Sequence, residues 1–243
     1  MVRPTKGEPV TTTEGWLEAL TADRDLVSRE STASRVADAL RHRVIEGELV
    51  PGTRLSEEGI CAALGVSRNT LREAFRLLSH ERLLEHVFNR GVFVRSPTSE
   101  DVRELYRFRR ILEGAAIRYA AMAAEDTATA VVDLSPLRDA VADGQRASDR
   151  ADWFGVGTAN IHFHQQLGAL PGSARMDETM SHLLAELRLV FHAMADPHAF
   201  HAPYLPQNEH LLGLLEAGDY AAAEEYLMRY LDTAEGQLLE RLG

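Results

Sequence analysis

GVSRNTLREAF, residues Gly65–Phe75, is the stretch on which the reading of this 243-residue chain turns. With the next residue it sets an arginine at every fourth position, Arg68, Arg72 and Arg76, and runs Leu71, Phe75 and Leu78 between them. At 3.6 residues per turn the three apolar side chains share one face of a helix, and the arginines, with Asn69, lie off it. Two readings fit that pattern. The basic face meets nucleic acid, or it is simply solvated.

The flanking sequence separates them. Upstream, Ser31 or Thr32 can cap a helix running to about Glu46, with Val36, Leu40 and Val44 on one face. Pro51-Gly52 marks a turn. Ser56 can cap a second helix with Ile60, Ala63 and Leu64 inward, and Gly65 ends it. Ser67 caps the third helix, Arg68 to His80. Downstream, LEHVF and GVFVR are short alternating runs joined by Asn89-Arg90-Gly91, a hairpin signal. Three helices and a hairpin form the order of a winged helix-turn-helix, with the third helix as reader and the hairpin as wing. A small α+β domain of another kind shares that order.

Charge supports a division of labour. The whole chain carries a net charge of −11, yet residues 31–97 hold ten arginines against eight acids, so the rest is strongly acidic. Phosphate contact is local, so a basic face on an acidic chain still serves. Apolar residues make up 45% of the chain, enough for a packed core, and no run approaches the roughly 18 residues of a membrane span. MVRPTKGEPVTTTEGW has no apolar segment of the secretory type. The single cysteine, Cys61, excludes an internal disulfide and reads as a small buried hydrophobe. A cytoplasmic protein is expected.

After Pro97 every pattern is helical. Segments near 99–124, 136–149, 151–168, 175–194, 207–216 and 220–240 predict an all-α bundle of six or seven helices, and DTATAVVDL offers a short extra one. Thr98 or Ser99 caps the first, and Ser135 followed by Pro136 reads as an N-cap with proline at the first helical position. The expected organisation is a polar arm over 1–30 with a short helix near Gly15–Thr21, a winged domain over 31–97, and a helical domain over 98–243, in a mainly α fold.

These residues carry a resemblance. PGTRLSEEGICAALGVSRNTLREAFRLLSHERLLEHVFNRGVFV looks like the DNA-binding domain of the GntR family of bacterial transcription regulators, through its PG-x-R-L start, its LGVSR core and its N-R-G wing. VRELYRFRRILEG, IHFHQQL and LEAGDYAAAEEYLMRYL resemble the all-helical, FCD-like effector domain of the FadR-type subgroup. The first resemblance assigns DNA contact to Ser67, Arg68, Asn69, Thr70 and Arg72, to Arg54, and to the wing tip Asn89, Arg90 and Gly91; Arg76 joins them from its place on the basic face. Arginine's planar fork suits guanine edges or phosphates, and a capped helix N-terminus offers N–H groups to a phosphate. One departure is Glu58, where some family members carry a contacting arginine.

The second resemblance implies a divalent-metal site built from Asp or Asn and three histidines on facing helices. Matched to the family pattern without gaps from Gly218-Asp219, its positions fall here on Asn160, His164, Asn208 and Tyr230; the nearby His210 lies about 200° around the helix from Asn208. One imidazole among four donors is a poor set for a zinc-like ion, so the expectation is a metal-free polar pocket and no cofactor. Arg109 stands four residues before Glu113 and has two candidate roles, meeting a carboxylate ligand or pairing with Glu113. His162, His192, His198 and His201 read as surface or loop residues, and FHAMADPHAFHAPY is a candidate lining for the pocket mouth.

The expected partners are a duplex DNA operator, a small-molecule effector and a second copy of the chain, with no membrane. A metal-dependent enzyme is disfavoured, since no nucleophile–base pair, HExxH or phosphate loop is present. An architectural DNA binder with a helical domain that only dimerises is the remaining alternative.

Overall fold

The computed structural model describes residues 24–125, 132–192, 194 and 196–242. Ten helices and three short strands are present among them. Helix α1 spans Arg24–Ile45, strand β1 Arg54–Leu55, α2 Glu57–Leu64, α3 Arg68–His80, β2 Leu84–Val87 and β3 Gly91–Val94. Then follow α4 Ser99–Glu125, α5 Ser135–Asp149, α6 Trp153–Ala169, α7 Ala174–Phe191, α8 Pro197–His201, α9 Tyr204–Glu216 and α10 Tyr220–Leu242.

The caps of the winged region lie where side-chain chemistry puts them. The Ser56 hydroxyl accepts from the Gly59 amide, and Gly65 closes α2 at φ 65°, a left-handed conformation that costs glycine little. Ser67 accepts from the Thr70 amide and opens α3 at Arg68. Leu71, Ala74, Phe75 and Leu78 of α3 are buried against Val36, Ala37, Leu40 and Val44 of α1. The strands form an antiparallel sheet in the order β1-β3-β2, with Arg54 opposite Phe93 and His86 opposite Val92. Asn89 at φ 57° and Gly91 at φ 107° turn the wing.

Several local expectations are corrected. Helix α1 already runs at Arg24, so neither Ser31 nor Thr32 caps it. In α2 no residue is fully buried; Ile60 and Cys61 pack partly against the core, while Ala63 and Leu64 are exposed. Ser135 is not the cap of α5: Leu134 holds that position without a side-chain bond, and the Ser135 amide donates to Asp133 instead. The arm near Gly15–Thr21 and most of DTATAVVDL lie outside the described residues.

Helix α4 starts with a reciprocal cap, in which the Thr98 amide donates to Asp101 and the Asp101 amide to the Thr98 hydroxyl. The bundle core gathers Leu105 and Ile117 of α4, Phe163 and Leu167 of α6, Leu184 and Leu187 of α7, and Leu227 and Leu231 of α10. Helix α7 belongs to both cores. Its Leu184, Leu187 and Val190 face the bundle, while Ala185 and Leu189 complete the core under the winged region. Arg95, just past the wing, reinforces that joint by pairing with Asp101 at 2.8 Å and with Glu186 of α7 at 3.2 Å.

Candidate functional site

The first candidate site is the outer face of α3 with the wing. Arg68, Asn69, Arg72 and Arg76 are all exposed, and the Ser67 cap leaves the first turn of α3 open to solvent. Arg72 is steadied by Glu57 of α2 at 3.2 Å, and Arg76 by Glu73 at 2.9 Å. Both pairs are largely exposed and weak, so either carboxylate can be displaced by another anion at small cost. At the wing, Arg90 lies over the Phe93 ring, 5.4 Å from its centre. Arg54 reaches across from β1, its Nε 3.5 Å from where a Gly91 side chain would begin. The resemblance therefore named residues of two surfaces, the N-terminal half of α3 and the wing tip with Arg54. Sequence reasoning passed over Phe88, which is 83% exposed beside Asn89.

The second candidate site is a buried polar chain across the bundle. Arg109 donates through Nε to Glu113 at 2.7 Å, and its guanidinium lies 4.9 Å from the centre of the Tyr106 ring. The other Glu113 oxygen is 2.7 Å from His164 Nδ1. A carboxylate only accepts, so Nδ1 carries the proton. His164 Nε2 faces the Tyr230 hydroxyl at 3.1 Å. That hydroxyl donates to Asn160 Oδ1 at 2.8 Å, and Asn208 Nδ2 donates to the same oxygen at 2.7 Å. The five residues named from the sequence, Arg109, Asn160, His164, Asn208 and Tyr230, thus meet, with Glu113 as the sixth member.

Electrostatics fix the charge states. Burial pushes the Glu113 carboxyl up, but Arg109 and His164 outweigh it and hold it below the usual range. Burial lowers the His164 imidazole, with Arg109 adding to the effect against Glu113. Burial raises the Tyr230 phenol well above its ordinary value. The chain is short of one proton. With His164 neutral, Tyr230 can donate to Asn160 or to the Nε2 lone pair, but not to both. Asn208 Oδ1 has no partner either.

This donor set does not fit a divalent transition metal. Its one imidazole presents Nε2 directly to Tyr230, and Tyr230 is a phenol held neutral by burial. Among the described residues no three His, Cys, Asp or Glu side chains group as a metal site. The space beside the chain is a cavity of about 10 Å³ lined by Asn160, His201, Tyr204 and Asn208 among others.

His201 is a correction to the sequence reading: it is a core residue, 2% exposed, packed edge-on to Phe191 and Phe200. The five-residue helix that buries it was missed, being too short to show a periodic face. His162 and His192 are both partly buried, His162 beside Glu46 at 3.3 Å, while His198 is exposed as expected.

Comparison with known proteins settles the ancestry. Residues 32–94 match the description "Bacterial regulatory proteins, gntR family", and residues 104–233 match the FCD domain. The chain belongs to the GntR family, in its FCD-bearing branch. A transcriptional regulator GntR from Rhodococcus sp. RHA1 has a solved structure with 47% identity and a TM-score of 0.76, covering 86% of this chain and 98% of that one. An HTH-type transcriptional regulator from an unstable DNA locus of Streptomyces ambofaciens is 30% identical over 200 residues, 79% of this chain and 78% of its own length. The gluconate operon transcriptional repressor of Bacillus licheniformis is 38% identical over 87 residues, 36% of this chain and 35% of the repressor. This chain thus spans about a third of the length of that relative.

Proposed function

We propose that this GntR-family chain is a ligand-responsive transcriptional regulator, a repressor that leaves a palindromic operator when a small molecule enters its helical domain. The proposed division follows the sequence reading: a winged DNA-binding domain over 31–97 and an effector and dimerisation domain over 98–243, in a cytoplasmic protein. No helix among the described residues is long and apolar enough to cross a membrane.

The observation that carries the DNA reading is the capped, exposed α3, whose apolar face is fully spent on the winged core and whose arginines face outward. Arg68, Asn69 and Arg72 would read base edges or phosphates in the major groove, Ser67 and Thr70 would place the helix start on a phosphate, and Arg76 would follow the backbone. Arg54, Asn89, Arg90 and Gly91 would enter the adjacent minor groove, with Phe88 packing against sugars there.

A two-fold dimer is supported by α4. Phe108, Ile111, Tyr119 and Met122 are exposed and lie within about 80° of one another around that helix. A second copy of the same stripe is its natural cover in an isologous contact. Ile111→Glu should yield monomers in sedimentation, with weaker operator binding but intact helicity; a persistent dimer would move the interface elsewhere.

One observation favours a second reading, in which the helical domain only dimerises: the buried chain is nearly closed on itself and its cavity is small. Selection of duplexes from a random library tests the main reading. An enriched inverted repeat is expected, and release of that duplex by small metabolites separates a sensor from a constitutive binder. Failure to enrich any sequence would remove the regulator reading altogether.

A further inference from the structure

Phe88 is 83% exposed, more than any other large apolar side chain among the described residues. The hairpin explains its place. Strand pairing ends with Val87 opposite Gly91, and the Arg90 amide donates to the Val87 carbonyl at 3.0 Å, so Phe88, Asn89 and Arg90 make the tip. Arg90, the cation nearest to the ring in the chain, lies over Phe93 instead. The rest of the tip is charged and unpaired. Among the described residues neither Arg54 nor Arg90 has a carboxylate partner, whereas Arg72 and Arg76 of α3 each have one. The acid of the wing, Glu85, stands back from the tip, opposite Phe93.

An apolar ring between two free cations is poorly matched to water. It matches a groove with phosphates on its rims, sugars on its walls and uncharged base edges on its floor, which is the minor groove of a duplex. That floor differs between base pairs in one group. A·T and T·A present only acceptors, adenine N3 and thymine O2, while guanine adds its 2-amino donor. A phenyl ring over guanine strips water from that donor and gives it no acceptor, a cost that only G·C bears. Over A·T the floor acceptors can take N–H groups from Arg54, Arg90 or the Asn89 amide side chain.

We propose that Phe88 makes the wing a sequence reader as well as an anchor: its ring excludes the guanine 2-amino group from the base pair beneath the tip. This rests on the reading of α3 and the wing as the DNA surface. It adds a preference that α3, working in the other groove, cannot supply. Arg54 and Arg90 hold the backbone and the acceptor edges, and Phe88 decides which base pair fits below them. Because the ring neutralises no phosphate, its contribution carries no release of counter-ions.

The test is fluorescence anisotropy of the full chain on an operator duplex enriched by selection. Each base pair in turn is set to A·T, inosine·C, G·C or diaminopurine·T. Inosine is guanine without the 2-amino group, diaminopurine is adenine with it, and neither swap alters the major-groove edge. At the pair under the wing, wild type should bind inosine·C roughly tenfold more tightly than G·C, and A·T more tightly than diaminopurine·T by a similar factor. Phe88→Ser should melt like wild type, keep the same salt slope, and bring both comparisons within about twofold. Phe88→Leu, still apolar and without an acceptor, should keep the discrimination. Discrimination that survives Phe88→Ser belongs to groove width or to another residue and overturns the assignment. So does a wild type indifferent to the 2-amino group at every position, which leaves the α3 reading in place. If no duplex is enriched at all, the DNA reading and this one fall together.

Discussion

The winged region and the helical bundle handle charge in opposite ways. On α3 the arginines are exposed and tied only to neighbouring surface carboxylates, Arg72 to Glu57 and Arg76 to Glu73. In the bundle Arg109, Glu113 and His164 are buried and linked at 2.7 Å. Exposed charge is cheap to hold and free to exchange partners; buried charge is committed. If the proposed reading of α3 is right, DNA recognition and stability of the fold are carried by different residues of the same chemical types.

The largest expected effect breaks the buried side. Glu113→Ala leaves Arg109 and His164 Nδ1 without their acceptor and should cost about 3–5 kcal/mol of unfolding free energy, read by denaturant melts. A loss below about 1 kcal/mol would mean that water or another group replaces the carboxylate. On the exposed side, Arg68→Ala or Arg72→Ala should cost roughly 1–3 kcal/mol in operator affinity with an unchanged melt. The two classes of variant should not trade effects.

Legibility in the sequence follows the same contrast. Helix α3 could be bounded to the residue because Ser67 has a local acceptor role and its apolar stripe repeats over three turns. The hairpin was legible from Asn89 and Gly91. Strand β1, two residues long, has no period to read. Ser135 looked like a cap, but a nearby Asp133 took its amide, a choice decided by side chains close by in the chain. In the bundle the family positions of Asn160, His164, Asn208 and Tyr230 do converge, and Arg109 does meet Glu113. His201 and Arg188 were illegible for a physical reason. Their burial depends on a five-residue helix and on a contact between α7 and the turn that follows α1, which sequence spacing does not encode.

A pH experiment sharpens the contrast. Burial, with Arg188 nearby, holds the His201 imidazole down at about 3 and the His192 imidazole at about 4. Unfolded histidines titrate near 6.5. Between those values the unfolded chain binds more protons, so the stability these rings contribute is present above pH 6.5 and drains away as pH falls toward 4. His201→Asn should flatten that slope in melts between pH 7 and 4.5. An unchanged slope would mean that the ring finds a proton acceptor in the native state. The smallest effect belongs to the surface: Arg229→Ala, which removes the exposed helical pair with Glu225, should change stability by no more than about 0.5 kcal/mol. It should leave DNA binding alone.

The salt dependence of operator binding tests the central claim most directly. Fluorescence anisotropy of a selected inverted-repeat duplex gives the slope of log affinity against log salt for the wild type, the Arg68→Ala/Arg72→Ala variant and the Arg229→Ala control. If α3 is the reader, the double variant binds more weakly. Where these arginines touch phosphate, its slope is also shallower, by about one unit for every phosphate left unneutralised in each half-site. The control matches the wild type in both. Equal affinity and slope for all three proteins would contradict the account, because the exposed arginines of α3 would then be only a solvated face.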